Sequence, residues 1–166
     1  MKTLEYETIT GRRLDLAHLN SDERKLLGSV QERYRTQPEW TAFASWWMAE
    51  FERSDLRLES VAYRICQDLE ARLGIAQGKV APPDYRDYLA DLIKERYGSR
   101  YKFCKETGID PGHLSRVLAK NSELSLPTLQ KIMDALQAAL VVQRQEVLFE
   151  HISPEDASRA LAAATG

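Results

Sequence analysis

The residues of this sequence that could do chemistry are few, and their spacing argues against catalysis. Three histidines, His18, His113 and His151, lack both the helical and the short-range spacing of metal ligands. Cys66 and Cys104 lie far apart, each inside an apolar helical pattern, with no Cys-x-x-Cys, and read as buried free thiols. No Ser-His-Asp, Cys-His, paired-carboxylate or phosphate-cradling glycine-rich pattern is visible. The abundant carboxylates fall mostly as i,i+4 partners on helix faces. The sequence reads as no enzyme, with neither a metal nor another cofactor expected. What stands out instead is a short helix opening at Asp110-Pro111 and carrying His113, Ser115 and Arg116. An imidazole can donate from one ring nitrogen and accept at the other, and a guanidinium is a planar fork of donors. Such groups suit hydrogen bonding in a fixed frame.

Charge points to the same stretch. The chain is nearly neutral overall, at −2, but the charge is segregated. Residues 94–120 hold seven basic residues (Lys94, Arg96, Arg100, Lys102, Lys105, Arg116, Lys120) against three acids (Glu95, Glu106, Asp110), a net of +4. Residues 1–80 carry a net of −1 and residues 146–166 a net of −3. A binder of polyanions need not be basic overall if its positive charge is gathered on one element pair.

The elements that must position these residues follow from periodicity and capping. Residues 4–16 alternate apolar and polar on both sides of Thr10-Gly11, which suits a short hairpin or an irregular arm. Asn20-Ser21-Asp22-Glu23 is a capping box, and Leu26, Leu27, Val30 and Tyr34 follow on one helical face. Pro38 is expected to open a second helix, with Trp40, Phe43, Trp47 and Phe51 as its stripe. Trp46 lies off that stripe, so it is expected to be exposed or to face another subunit. Ser54 is expected to cap a third helix, in which Leu58, Val61, Ala62, Ile65 and Leu69 repeat, and Gly74 to end it. The aromatic stripe has helical spacing and no converging polar residues, so it reads as core and not as a ligand pocket.

Gly74 to Pro83, with two glycines and two prolines, reads as a linker. Beyond it, Tyr85, Leu89, Leu92, Ile93 and Tyr97 form an amphipathic pattern, Gly98 interrupts, and Ser99 can cap a short helix through Tyr101, Phe103 and Cys104. Gly108 supplies a turn with positive φ. Asp110 caps the next helix, whose buried face is Leu114, Val117 and Leu118. Ser125 caps another, with Leu126, Leu129, Ile132, Met133 and Leu136 inward. Residues 138–151 suit either two strands or a continuing helix. Ser153-Pro154-Glu155-Asp156 is a helix start.

The expected fold class is mainly α. Residues 1–74 make a small helical bundle with a short β arm, 75–83 a linker, 84–138 a domain of four or five helices, and 139–166 an extension. No apolar run approaches the roughly 18–20 residues that span a bilayer, and MKTLEYETITGRR lacks the apolar core of a secretory signal. A soluble, cytoplasmic chain is expected.

One stretch carries a resemblance. Cys104, Thr107-Gly108-Ile109, Leu114-Ser115 and Leu129-x-x-Ile132-x-x-Ala135-Leu136 agree in type and spacing over about a third of the chain, Tyr85 to Ala138. In these positions the sequence resembles the helix-turn-helix domains of the lambda-repressor/Cro, or XRE, type. The resemblance implies a transcriptional regulator that binds double-stranded DNA, its second motif helix in the major groove. It places base-edge contacts at Pro111, Gly112, His113, Ser115 and Arg116. It places phosphate contacts at Ser99, Arg100, Lys102, Lys120 and Asn121. It also implies a homodimer on two half-sites, joined through residues 138–166 or the N-terminal bundle. One version is the autoregulating antitoxin of a toxin–antitoxin pair, whose N-terminal half would hold the toxin. The departure is Pro111-Gly112, where the family often has Gln or Ser. Neither offers a side-chain donor, so readout would fall on His113, Ser115 and Arg116. The alternative is a protein–protein interaction module that keeps the scaffold without the readout.

Overall fold

A computed structural model describes residues 4–141. The protein is mainly helical, with a short two-stranded sheet followed by seven helices among the described residues. The chain divides between Pro82 and Pro83 into two compact units. No helix among the described residues is long and apolar enough to cross a membrane.

In the first unit, β1 (Glu5–Glu7) and β2 (Arg13–Asp15) pair antiparallel, with Tyr6 opposite Leu14. Gly11 makes the connection at φ +80, and Tyr6 and Leu14, on one face, are buried. The N-terminal alternation is therefore a hairpin. The capping box holds as expected: Asn20 Oδ1 accepts from the Asp22 and Glu23 N–H groups, and Glu23 accepts from the Asn20 N–H. It starts α1 (Ser21–Arg35). Helices α2 (Trp40–Arg53) and α3 (Val61–Ala76) complete the bundle. Its core joins Leu27, Val30 and Tyr34 to Phe43, Trp47, Ile65 and Leu69.

The structure departs from four local expectations in this unit. Helix α2 begins after Pro38 and is capped by Glu39, which accepts from the Ala42 N–H. Pro38 instead offers its carbonyl to Gln77 Nε2, which ties the start of α2 to the end of α3. Ser54 ends α2, and Ser60 caps α3 by accepting from the Tyr63 N–H, so Leu58 lies in a loop and is exposed. Trp46 is half-buried, packed on the core beneath the Arg33 guanidinium at 5.9 Å. Gly74 does not end α3. It is buried within the last turns, where a Cβ would lie 2.6 Å from Val80 Cγ2 and 3.0 Å from Trp40 Nε1. The glycine is there because loop and tryptophan close over the helix, and its carbonyl accepts from the Lys79 and Val80 N–H groups.

In the second unit, α4 (Tyr85–Tyr97), α5 (Arg100–Thr107), α6 (Pro111–Leu118) and α7 (Leu126–Ala135) enclose a smaller core. Leu89 and Ile93 of α4, Phe103 and Cys104 of α5, Leu114 of α6, and Ile132, Met133 and Leu136 around α7 supply it. Helix α4 packs on both α5 and α6. Leu126 departs from expectation: it is the first residue of α7, outside the core cluster, and is 78% exposed. Ala138–Val141 form no regular element. The rest of the 138–151 stretch, the Ser153 helix start and most of the 139–166 extension lie outside the described residues.

Candidate nucleic-acid interface

Helix α5 is set by its ends. Ser99 Oγ accepts from the Lys102 N–H at 3.2 Å, and Gly108, at φ +70, closes the other end with its N–H on the Cys104 carbonyl. Only Gly108, Ile109 and Asp110 separate α5 from α6. Ile109 is buried and anchors the turn. Cys104, small and 4% exposed, sits where the two helices meet the core, and burial raises its thiol pKa.

Asp110 Oδ1 accepts from the His113 N–H at 2.5 Å and starts α6, with Pro111 where a missing N–H costs nothing. Leu114 and Val117 turn inward, which leaves Pro111, Gly112, Ser115 and Arg116 exposed and His113 half-buried. A Cβ on Gly112 would lie 3.4 Å from Asp110 Oδ1 and 3.6 Å from Arg116 Nη1. The bare glycine thus forms the floor beside the guanidinium.

The end of α6 is a Schellman turn: the Lys120 N–H reaches the Val117 carbonyl and the Asn121 N–H the Arg116 carbonyl, each at 2.9 Å. Lys120 occupies the left-handed position, φ +63, usually held by glycine. Its ammonium lies 2.8 Å from Asp87 Oδ2 and 3.5 Å from Asp84 Oδ2. The hydrogen bond to Asp87, with the attraction of Asp87 and Asp84, holds its pKa above the ordinary lysine value. Desolvation works against ionisation of Asp84, yet the Arg86 N–H and the Lys120 and Arg86 charges keep its pKa below the usual carboxylate value. Arg86 also bridges to Glu123, at 3.5 Å.

The expected residues therefore fall into groups. Pro111, Gly112, Ser115 and Arg116 share the exposed side of α6. Ser99 and Arg100 stand at the start of α5, which packs on α6. Asn121 is exposed just past α6. Lys102 is paired with Glu106 at 3.8 Å, and Lys120 is not a free cation but is held by two carboxylates. Sequence reasoning missed that holding pair, although Asp84-x-x-Asp87 is itself a capping box and could have been read as one. It also missed that Tyr101, on α5, is 74% exposed.

Elsewhere, the first unit has a cleft of about 600 Å³ where the starts of α1 and α3 meet. Its buried carboxylate, Glu23, is already bonded to the Asn20 and Ala62 N–H groups. No cluster among the described residues could hold a metal ion. Comparison of the chain with protein-family models, curated proteins and solved structures gives no match.

Proposed function

We propose that α5, the Gly108 turn and α6 form a helix-turn-helix of the lambda-repressor type that binds double-stranded DNA. On this reading the chain is a cytoplasmic transcriptional regulator, a repressor, acting as a homodimer. The supporting observation is the outer side of α6. A helix of eight residues turns Leu114 and Val117 inward and leaves Ser115 and Arg116 exposed behind a bare Pro111-Gly112 front. Arg100, Lys102 and Lys105 lie on α5, which packs on α6. Arg116 is suited to a bidentate contact with guanine, with Ser115 and the half-buried His113 beside it. Ser99, Arg100, Lys102 and Asn121 would meet phosphates.

Fluorescence anisotropy of labelled duplexes tests this, one duplex taken from upstream of the coding sequence and one scrambled, at low and near-physiological salt. Tighter binding to the upstream duplex that survives moderate salt is expected. Arg116→Ala should cost about 1–3 kcal/mol on that duplex and relax sequence preference, with an unchanged melt. Equal, weak binding that vanishes with salt would leave a scaffold without readout. A protein-interaction role would then follow, and the exposed Tyr101 and Leu126 favour it as the second reading.

A further inference from the structure

Lys120 is a basic residue just past α6 whose ammonium meets two carboxylates of its own unit. Three facts bear on what this does. First, its backbone is in the left-handed conformation at φ +63, where glycine would be less strained. Gln37, Asp55 and Gln137 share this conformation past other helix ends, so the backbone fixes where the lysine side chain starts and the weight falls on what its ammonium meets. Second, the two oxygens nearest its ammonium come from carboxylates at one helix start, Asp87 at 2.8 Å and Asp84 at 3.5 Å. Two anionic oxygens converging on one ammonium are what a DNA phosphate would offer. Third, all three side chains are open to water, at 46%, 37% and 36% exposure. A pair in that setting shifts an equilibrium by no more than about five-fold, so a phosphate can displace it, and it still matters to affinity.

Resting on the DNA-binding reading above, we propose that Asp87 and Asp84 act as an intramolecular phosphate mimic that holds Lys120 and restrains duplex affinity. Lys120 is then a phosphate contact in reserve. Whatever weakens the carboxylate pair, by neutralising it or drawing it away, strengthens binding to every sequence alike, because phosphates carry no sequence information. The same network ties Arg86 to Asp84 and Glu123, at 3.2 and 3.5 Å, so the loop after α6 and the start of α4 are held together as one charged surface.

The test uses the full chain, the two labelled duplexes and a salt titration. Asp87→Asn keeps the oxygen that accepts the Asp84 N–H. Asp84→Asn keeps an equally good helix cap and serves as the second variant should the first fold poorly. Lys120→Gly removes the cation and suits the left-handed backbone. Asp87→Asn is expected to tighten binding to both duplexes by about two- to five-fold at low salt. It should also steepen the salt dependence by about one phosphate's worth. Lys120→Gly is expected to abolish the gain in the Asp87→Asn background. Parent-like or weaker binding by both Asn variants, with parent-like melts, would overturn the mimic and leave the DNA-binding reading standing. A gain that persists in the Asp87→Asn, Lys120→Gly double variant would also overturn it, since the acids would then act by simple repulsion. Absence of salt-sensitive duplex binding in the parent and every variant would remove both readings together.

Discussion

The first unit holds an ion pair, Arg72 Nε to Asp68 Oδ2, at 2.7 Å; the second holds one, Lys120 Nζ to Asp87 Oδ2, at 2.8 Å. The distances agree within 0.1 Å, but the surroundings do not. The side chains of Arg72 and Asp68 are 4% and 5% exposed. Tyr6 donates its hydroxyl to Asp68, Ile9 its backbone N–H, and Arg72 also donates to the Glu7 carbonyl. The pair therefore fastens the hairpin to α3 from inside. The side chains of Lys120 and Asp87 are 46% and 37% exposed. Separation alone therefore says little about energy. Desolvation decides whether breaking a pair strands a buried charge or merely rehydrates it.

Asp68→Ala removes the carboxylate that the Arg72 guanidinium, the Tyr6 hydroxyl and the Ile9 N–H share inside the first unit. It should cost about 3–5 kcal/mol. Hydrogen exchange resolved by unit should show the loss in residues 4–82 and parent-like protection in 83–141. Equal loss in both would mean that the units do not unfold separately.

The same interior also holds two buried tyrosines, Tyr6 and Tyr34. Burial pushes the Tyr34 hydroxyl from 10.0 up to about 12, with Arg72 opposing and Asp68 reinforcing the rise. Burial, then the Asp68 charge, raises Tyr6 well above 10.0. Both folded values lie above the unfolded one. This contribution is therefore fully present below about pH 10 and lost as pH climbs through the folded values. Tyr34 alone accounts for about 2–3 kcal/mol across that window. Urea melts at pH 9 and pH 11.5 should show the fall, and Tyr34→Phe should reduce it. A Tyr34→Phe chain with the parent's alkaline loss would assign the effect elsewhere.

Much of the second unit was legible in the sequence, because its signals are local. Ser99, Asp110 and Ser125 cap their helices and Gly108 has the positive φ its turn needs. These are short-range facts, decided within four residues. What escaped was decided by distant partners. Asp68 and Arg72 look like an ordinary i,i+4 pair until Tyr6 and Ile9, some sixty residues earlier, cover them. Gly74 looks like a helix stop until Trp40 and Val80 close on it. Lys120 looks like a free phosphate contact until Asp84 and Asp87 meet it. For the candidate site, sequence reasoning put Pro111, Gly112, Ser115 and Arg116 on the exposed side of α6, but it did not foresee the half-buried His113 or the two carboxylates that meet Lys120 beyond the helix.

A pair of glycines carries the comparison to smaller energies. Gly74→Ala puts a Cβ 2.6 Å from Val80 Cγ2 in a closed corner of the first unit. A cost of about 1–3 kcal/mol is expected by overpacking, despite alanine's better helix propensity. A thermal melt equal to the parent's would mean that the 79–82 segment yields.

Gly112→Ala should go the other way. Gly112 lies inside α6 without a positive φ, and its added Cβ would meet neighbours at ordinary contact distances, 3.4 and 3.6 Å. Alanine loses less backbone freedom on folding, so the second unit should gain about 0.4–1 kcal/mol. Duplex affinity then separates two meanings of the Pro111-Gly112 front. A more stable chain that binds the upstream duplex more weakly would show that α6 approaches DNA so closely there that a methyl group intrudes. A more stable chain with unchanged affinity would make the glycine part of a helix start and nothing more, with readout left to His113, Ser115 and Arg116. A less stable chain would contradict the open geometry around Gly112, and with it the contrast to Gly74.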